Sequence, residues 1–173
     1  HRSVDVAYGS PKQRKQIIEQ GAEYVIINYD GVAIVANEIA KGGFDLVIVD
    51  EATHYKNAQT TRWKTLNRLL TPDQWLWMMT GTPAAQSPLD AYGLAKLINP
   101  NSVPRFFSSF RDQVMVKITN FKWVAKETAT DTVFRVLQPA IRFTKADCLD
   151  LPEMVYVKRE VPLTRQQKKY YEE

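Results

Sequence analysis

The sequence contains very little cysteine, with Cys148 alone among 173 residues. One thiol cannot form an internal disulfide or a cysteine cluster for zinc, and such scarcity is typical of a reducing compartment. Long apolar runs are also missing. None approaches the roughly 20 residues that a membrane-spanning helix requires, so we expect no membrane partner. The chain begins at His1 and has no methionine before Met78, which predicts an origin within a longer protein.

Neither sign of charge dominates, because 23 Lys and Arg residues stand against 19 Asp and Glu residues and leave a net charge of +4. This balance permits a polyanionic partner without requiring one. A hydrophobic fraction of 45% with 24% charged residues argues against disorder, and the length suits one compact domain.

Three short apolar runs predict strands, and helical segments alternate with them. The runs span 24–28, 45–50 and 75–80. The first two are typical of parallel strands buried on both faces, whereas the third could also be a helix but precedes a Gly-Thr-Pro turn. Helices are expected over 11–20, 32–41, 60–70, 88–98, 131–137 and 165–171. The alternation predicts an α/β fold with a parallel sheet.

Polar residues follow each of the three runs: Asn28-Tyr29-Asp30, Asp50-Glu51 and Thr80-Gly81-Thr82. Because ligands bind at the carboxyl ends of parallel strands, these clusters are expected to form one site if the strands share a sheet. An Asp at such an end commonly serves a magnesium ion that also binds phosphate oxygens, and a second carboxylate can activate water. The same acidic pair could instead cap a helix or end a strand in solvent.

The wider context of these residues resembles a known family. Residues 50–57, Asp-Glu-Ala-Thr-His-Tyr-Lys-Asn, resemble the DExx-box of helicase superfamily two in the form typical of the Swi/Snf-related ATPases. Residues 80–92 resemble motif III and its following helix, and residues 25–30 resemble the motif Ib strand. Residues 141–147, 151–152 and 163–170 resemble the segment that leads out of the family's first lobe. The occurrence of all these blocks in the family's order is a far more specific signal of the family than any one block.

The resemblance implies a partial first RecA-like ATPase lobe over residues 1–139, with residues 102–126 as a candidate helical protrusion. It implies an exit segment over residues 140–173 that leads toward a second RecA-like lobe. Family members hydrolyse ATP with magnesium and translocate on double-stranded DNA, so the resemblance implies these cofactors and this partner. The open alternatives are a strand-separating helicase, a restriction-type translocase subunit, and a non-catalytic α/β module that binds nucleic acid or protein. Short connections between motifs favour a cytoplasmic bacterial or phage protein, and a eukaryotic one would be nuclear.

Individual roles follow from the same resemblance. Asp50 would hold magnesium through water, and Glu51 would position or activate the hydrolytic water. The motif III residues would couple the nucleotide site to the DNA-binding face: Thr80, Gly81 and Thr82. The candidate DNA contacts are Tyr29, Lys56, Asn57, Lys117 and Lys122.

The sequence also departs from the family pattern. Thr53 stands where the family usually has a histidine that links the DExx-box to motif III, and His54 is expected to make only a local surface hydrogen bond. Gln86 and Phe143 occupy positions where Asn and Arg are common. None of the seven glycines is followed by lysine, so the phosphate-binding pattern G-x-x-x-x-G-K-[ST] is absent. We therefore expect this chain alone to bind ATP weakly and hydrolyse it negligibly.

Residues 102–126 combine five basic residues with one acid and interleave them with aromatic residues. Such a pattern suits a nucleic-acid groove, but amphipathic spacing also explains it. We favour the second interpretation, in which the aromatic side chains are core and the basic ones are solvated.

Overall fold

A computed structural model describes residues 2–148 and 155–172 of the chain. They belong to two compact units, residues 1–140 and 141–173. The first unit contains β1 (Val4–Val6), α1 (Pro11–Glu19), β2 (Tyr24–Ile26), α2 (Tyr29–Ile34), α3 (Ala36–Lys41), β3 (Leu46–Val49), α4 (Thr61–Leu69), β4 (Trp75–Met78), α5 (Ala91–Ile98), α6 (Phe107–Val114), β5 (Met115–Lys117), β6 (Trp123–Ala125) and α7 (Ala129–Val136). Short 3-10 turns cover Ala52–Tyr55, Pro88–Asp90 and Pro100–Ser102.

Helix starts follow the capping residues of the sequence. The Ser10 hydroxyl accepts a hydrogen bond from the amide of Gln13 at 3.4 Å, while the Gln13 side chain accepts one from the Ser10 amide at 2.8 Å. Thr60 caps α4 in the same way by accepting from the amide of Trp63 at 3.2 Å. Each cap satisfies amide groups that the helix itself leaves unpaired, so these predicted starts are confirmed.

The described strands of this unit form parallel pairs and an antiparallel hairpin, and they do not share one sheet. β1 pairs with β2 and β3 pairs with β4, both in parallel, and no ladder joins β2 to β3 among the described residues. β2 ends early because Asn28 turns the chain into α2, with its side-chain oxygen accepting from the amide of Gly31 at 3.1 Å. The prediction of parallel strands flanked by helices is confirmed, and the condition that the strands share one sheet is not met among the described residues.

The predicted helix over residues 32–41 is also two helices, α2 and α3. Val35 lies between them with φ −120° and ψ 27°, outside the helical region. Its side chain is fully buried against Ala7 and Ile18, so tertiary packing sets the bend. Likewise, the segment that begins at Ser87-Pro88 opens with a 3-10 turn, and α5 starts only at Ala91.

Each parallel pair buries one face and exposes the other. Val47, Leu76 and Met78 pack against the main core, which α4–α7 largely build. On the opposite face, Trp75 is 71% and Trp77 55% exposed. Continuous apolar runs predict burial on both sides, and within the described residues only one side is covered.

Residues 102–126 are not helical throughout. Phe107–Val114 form α6, but Met115–Ala125 then fold into an antiparallel hairpin in which Val116 pairs with Val124. β-branched residues at alternating positions favour strand over helix here. The candidate helical protrusion is therefore half helix and half hairpin.

The second unit is described over residues 141–148 and 155–172. It contains α8 (Lys145–Cys148) and α9 (Arg165–Glu172), with 155–164 lacking regular structure. Thr164 and Gln167 form the predicted capping box at α9, with the Thr164 amide donating to the Gln167 side chain at 3.0 Å. The predicted Leu151-Pro152 element lies outside the described residues.

Candidate active site

The acidic pair lies on a sharp turn at the carboxyl end of β3. The Met79 amide donates to the carbonyl of Val49, and the Ala52 amide donates to the carbonyl of Met79, each at 2.8 Å. Between these bonds, Glu51 has φ 45° and ψ 52°, a left-handed conformation that is strained for a residue with a side chain. The surrounding ladder therefore holds Asp50 and Glu51 in a fixed turn.

Both carboxylates are exposed, and no Lys, Arg or His forms a salt bridge with either within residues 2–148 and 155–172. One Asp50 carboxylate oxygen accepts from the Glu51 amide at 2.9 Å. The second oxygen and the Glu51 carboxylate have no hydrogen-bond donor in the same ranges. These oxygens can coordinate an added cation or accept a hydrogen bond from a water molecule.

The Thr80-Gly81-Thr82 segment begins where this ladder ends. Thr80 follows Met79, whose amide and carbonyl bind both sides of the acidic turn. Thr80 is half-buried, while Gly81 and Thr82 are exposed. The structure thus brings Thr80-Gly81-Thr82 beside Asp50-Glu51, as the sequence predicts.

The 3-10 turn after the acidic pair is packed tightly on α5. Ala52 and Tyr55 are buried, and a Cβ atom added to Gly93 would overlap the carbonyl oxygen of Lys56. The Trp63 indole nitrogen donates to the Gly93 carbonyl at 2.9 Å in the same buried region. Only glycine permits this approach, so α5 forms the rigid base of the site.

Tyr29 joins the first strand-end cluster to the second. Its hydroxyl donates to the backbone carbonyl of Asp50. Burial raises the pKa of the Tyr29 phenol, the nearby Asp50 and Glu51 carboxylates raise it further, and Arg62 partly offsets them. The phenol therefore stays protonated at neutral pH and remains a donor.

Arg62 and His54 complete this junction, and sequence patterns gave no signal for Arg62. The Arg62 guanidinium binds Asp30 at 2.8 Å, lies 5.1 Å from the centre of the Tyr29 ring, and approaches the Nδ1 atom of His54 at 3.3 Å. The His54 and Tyr29 rings are 4.7 Å apart. His54 thus makes local contacts with α2 and α4, beside an open cleft of about 420 Å³.

The other candidate DNA contacts fall into two groups. The Lys56 ammonium is 2.9 Å from the Gln86 side chain and 3.2 Å from Asp90, so it connects the segment after the acidic turn to the segment after Thr82. Asn57 accepts from the Gln59 amide at 2.9 Å and shapes the entry to α4. Lys117 and Lys122 instead lie on the β5–β6 hairpin, away from the acidic turn in sequence, and are exposed.

Within the described ranges, no three His, Cys, Asp or Glu side chains converge as a candidate metal site. No helix among those residues is long and apolar enough to cross a bilayer.

Residues 3–173 match the protein family described as SNF2-related domain. Among curated proteins, the chain is 32% identical over 81 residues to the SWI/SNF-related matrix-associated actin-dependent regulator of chromatin subfamily A-like protein 1 of Xenopus laevis, covering 47% of this chain and 8% of that protein. It is 33% identical over 75 residues to the DNA repair and recombination protein RAD54-like of Gallus gallus, covering 43% of this chain and 10% of that protein. The chain therefore spans about a tenth of these relatives.

Among solved structures, the chain resembles the Sulfolobus solfataricus SWI2/SNF2 ATPase core in complex with dsDNA. The TM-score is 0.62 with 21% sequence identity, covering 88% of this chain and 31% of that one. At this identity the likeness concerns the fold.

Proposed function

Because the chain belongs to the SNF2-related family, we propose that it supplies the hydrolytic carboxylates of an ATP-dependent motor that translocates on double-stranded DNA. The observation that carries this proposal is the hydrogen-bonded junction of the Asp50-Glu51 turn with Met79, the residue before Thr80, at one end of the β3–β4 pair. Ligands of parallel α/β folds bind at such strand ends.

The donor set fits magnesium. Mg²⁺ is usually held by one or two carboxylates together with water and phosphate oxygens, and a dedicated protein cage is unnecessary. Asp50 offers one carboxylate oxygen free of hydrogen bonds, next to the exposed Glu51. Magnesium, when bound, would neutralise charge on the phosphate oxygens.

The residues of the chain then have distinct tasks. Asp50 would hold a metal-bound water, and Glu51 would accept a proton from the water that attacks the terminal phosphate. Thr80 and Thr82 would sense the nucleotide and pass its state to the DNA-binding face through the backbone bonds at Met79. Tyr29 would add a second connection, from the carbonyl of Asp50 to the first turn of α2.

The test uses ATP turnover of the full-length protein with and without double-stranded DNA. Glu51→Gln should lower turnover about 10²- to 10⁴-fold while nucleotide binding is retained, because a general base contributes that factor. Asp50→Asn should weaken the magnesium dependence. Asp45→Asn is the matched control, since Asp45 is an exposed acid beside the opposite end of β3.

Full turnover by Glu51→Gln would contradict the assigned role, and absence of DNA-stimulated turnover in the unaltered protein would favour a non-catalytic module. The 173-residue chain on its own should show negligible turnover, because its sequence has no phosphate-binding loop. A strand-displacement assay distinguishes translocation on duplex DNA from strand separation.

A further inference from the structure

The β5–β6 hairpin has a well-fixed tip. The Ile118 amide donates to the Lys122 carbonyl at 2.9 Å and closes the ladder. The Thr119 hydroxyl accepts from the amides of Phe121 and Lys122 at 3.3 and 3.1 Å. These local bonds define the conformation of the turn and therefore the direction in which Phe121 points.

Phe121 is presented to solvent at this tip. Its side chain is 98% exposed, whereas Phe110 on the adjacent α6 is fully buried. Amphipathic spacing predicts that the aromatic residues of 102–126 belong to the core, and that prediction is correct for Phe110 and wrong for Phe106, Phe107 and Phe121, which are all exposed. Removing a phenyl ring from water is favourable, so a fully exposed ring on an ordered turn can contribute free energy to the binding of a partner.

The charged side chains around the tip are basic, and two of them, Lys117 and Lys122, make no polar contact with the described residues. No Asp or Glu occurs from residue 113 to residue 126. Lys126 donates to the Asp112 carbonyl at 2.6 Å, and the Arg111 guanidinium lies 4.0 Å from the centre of the Trp123 ring. The ammonium groups of Lys117 and Lys122, by contrast, have no hydrogen bond or salt bridge to any residue that the structure describes.

The two lysines lie on opposite faces of the hairpin. Lys117 pairs with Trp123 across the ladder, so both side chains belong to one face. Lys122 directly precedes Trp123 and belongs to the other face, because successive strand residues alternate. The exposed Phe121 ring therefore lies at the hairpin tip, with Lys117 on one face of the hairpin and Lys122 on the other.

We propose that the hairpin binds an unpaired nucleic-acid strand, with Phe121 stacking on a base and Lys117 and Lys122 contacting the flanking phosphates. An aromatic ring between basic side chains matches the alternation of base and phosphate along a single strand. This inference rests on the proposed function, since it adds a second nucleic-acid contact to the same motor. Unpaired bases arise in single strands and at duplex junctions, and the test separates these from intact duplex.

The test uses the full-length protein and a short single-stranded oligothymidylate with one 2-aminopurine, whose fluorescence is quenched when an aromatic ring stacks on it. Phe121→Leu should abolish the quenching and weaken binding about 5- to 150-fold, the range measured for loss of one stacked base. Phe121→Trp should restore both. Phe134→Ala is the matched control, because Phe134 is 66% exposed on α7.

The lysines are tested by the salt dependence of single-strand affinity. Lys117→Gln with Lys122→Gln should reduce the slope of log K against log salt by about 1.4, because each phosphate contact contributes about 0.7. Lys12→Gln with Lys41→Gln removes the same charge from α1 and α3 and should leave the slope unchanged.

Retained quenching in Phe121→Leu would overturn the proposal, and so would an equal loss of affinity for blunt duplex DNA. Quenching requires no ATP turnover, so this result is independent of the Glu51→Gln experiment. A protein with DNA-stimulated turnover but without Phe121-dependent quenching would keep the proposed function and lose the hairpin assignment.

Discussion

The acidic turn after β3 and the β5–β6 hairpin both present charged groups to solvent, but their supports differ. The acidic turn lies on a buried base of Ala52, Tyr55 and Gly93 and is bonded on both sides to the β3–β4 ladder. The hairpin tip is held by its own backbone and by the Thr119 hydroxyl. The first region depends on the core, whereas the second depends on local bonds, so substitutions should separate them.

The largest difference in stability is expected between substitutions of Phe110 on α6 and of Phe121 at the hairpin tip. Phe110→Ala should lower the free energy of unfolding by about 3–5 kcal/mol because it leaves a cavity in the core. Phe121→Ala should change it by less than about 0.5 kcal/mol because the ring is exposed. Urea denaturation of the chain measures both, and equal losses would contradict the proposed independence of the hairpin tip.

The next effect concerns the base of the acidic turn. Gly93→Ala should destabilise the chain by about 1–3 kcal/mol, because the added methyl group overlaps the Lys56 carbonyl in a packed region. Gly81→Ala is the control, since a Cβ atom there meets nothing within 4 Å. If Gly93→Ala is as stable as the control, α5 does not rigidly support the turn.

A smaller effect is expected at the foot of the hairpin. A double-mutant cycle of Arg111→Ala and Trp123→Ala should give a coupling energy of about 0.5–1 kcal/mol, the usual value for a cation–π pair that stays in contact with solvent. Urea denaturation of the four proteins measures it. Zero coupling would show that the 4.0 Å approach of Arg111 does not stabilise the hairpin.

The smallest effect is a pH dependence of the acidic turn. Burial raises the pKa of the Tyr55 phenol as it does that of Tyr29, above the ordinary value of 10.0. Above pH 10 the folded chain keeps phenolic protons that the unfolded chain loses, so the free energy of unfolding should decline as pH rises. Phenolate absorbance should show one late-titrating tyrosine fewer in Tyr29→Phe than in the unaltered chain. Titration of both at the ordinary value would contradict the buried geometry.

Several features were predictable because their causes are local. The caps at Ser10, Thr60 and Thr164 act within three residues of their helices, and the predicted starts are confirmed. Family membership was also predictable, because the order of the motifs is preserved along the chain, and the family match confirms it. The individual roles of Asp50 and Glu51 remain predictions.

Other features depended on contacts between distant residues. The sequence patterns do not indicate the separation of the strands into two parallel pairs, the bend at Val35 or the hairpin after α6. Arg62 had no signal at all, because its partners Asp30 and His54 are 32 and 8 residues away.

By itself, the sequence determined the family, the α/β class and the positions of the acidic pair and motif III, since these depend on residue order and local hydrogen bonding. The tertiary structure alone decided that Tyr29 and Arg62 join the strand ends and that Phe121 is exposed while Phe110 is buried. Spacing along a chain fixes which residues can share a face, but burial depends on what packs against that face.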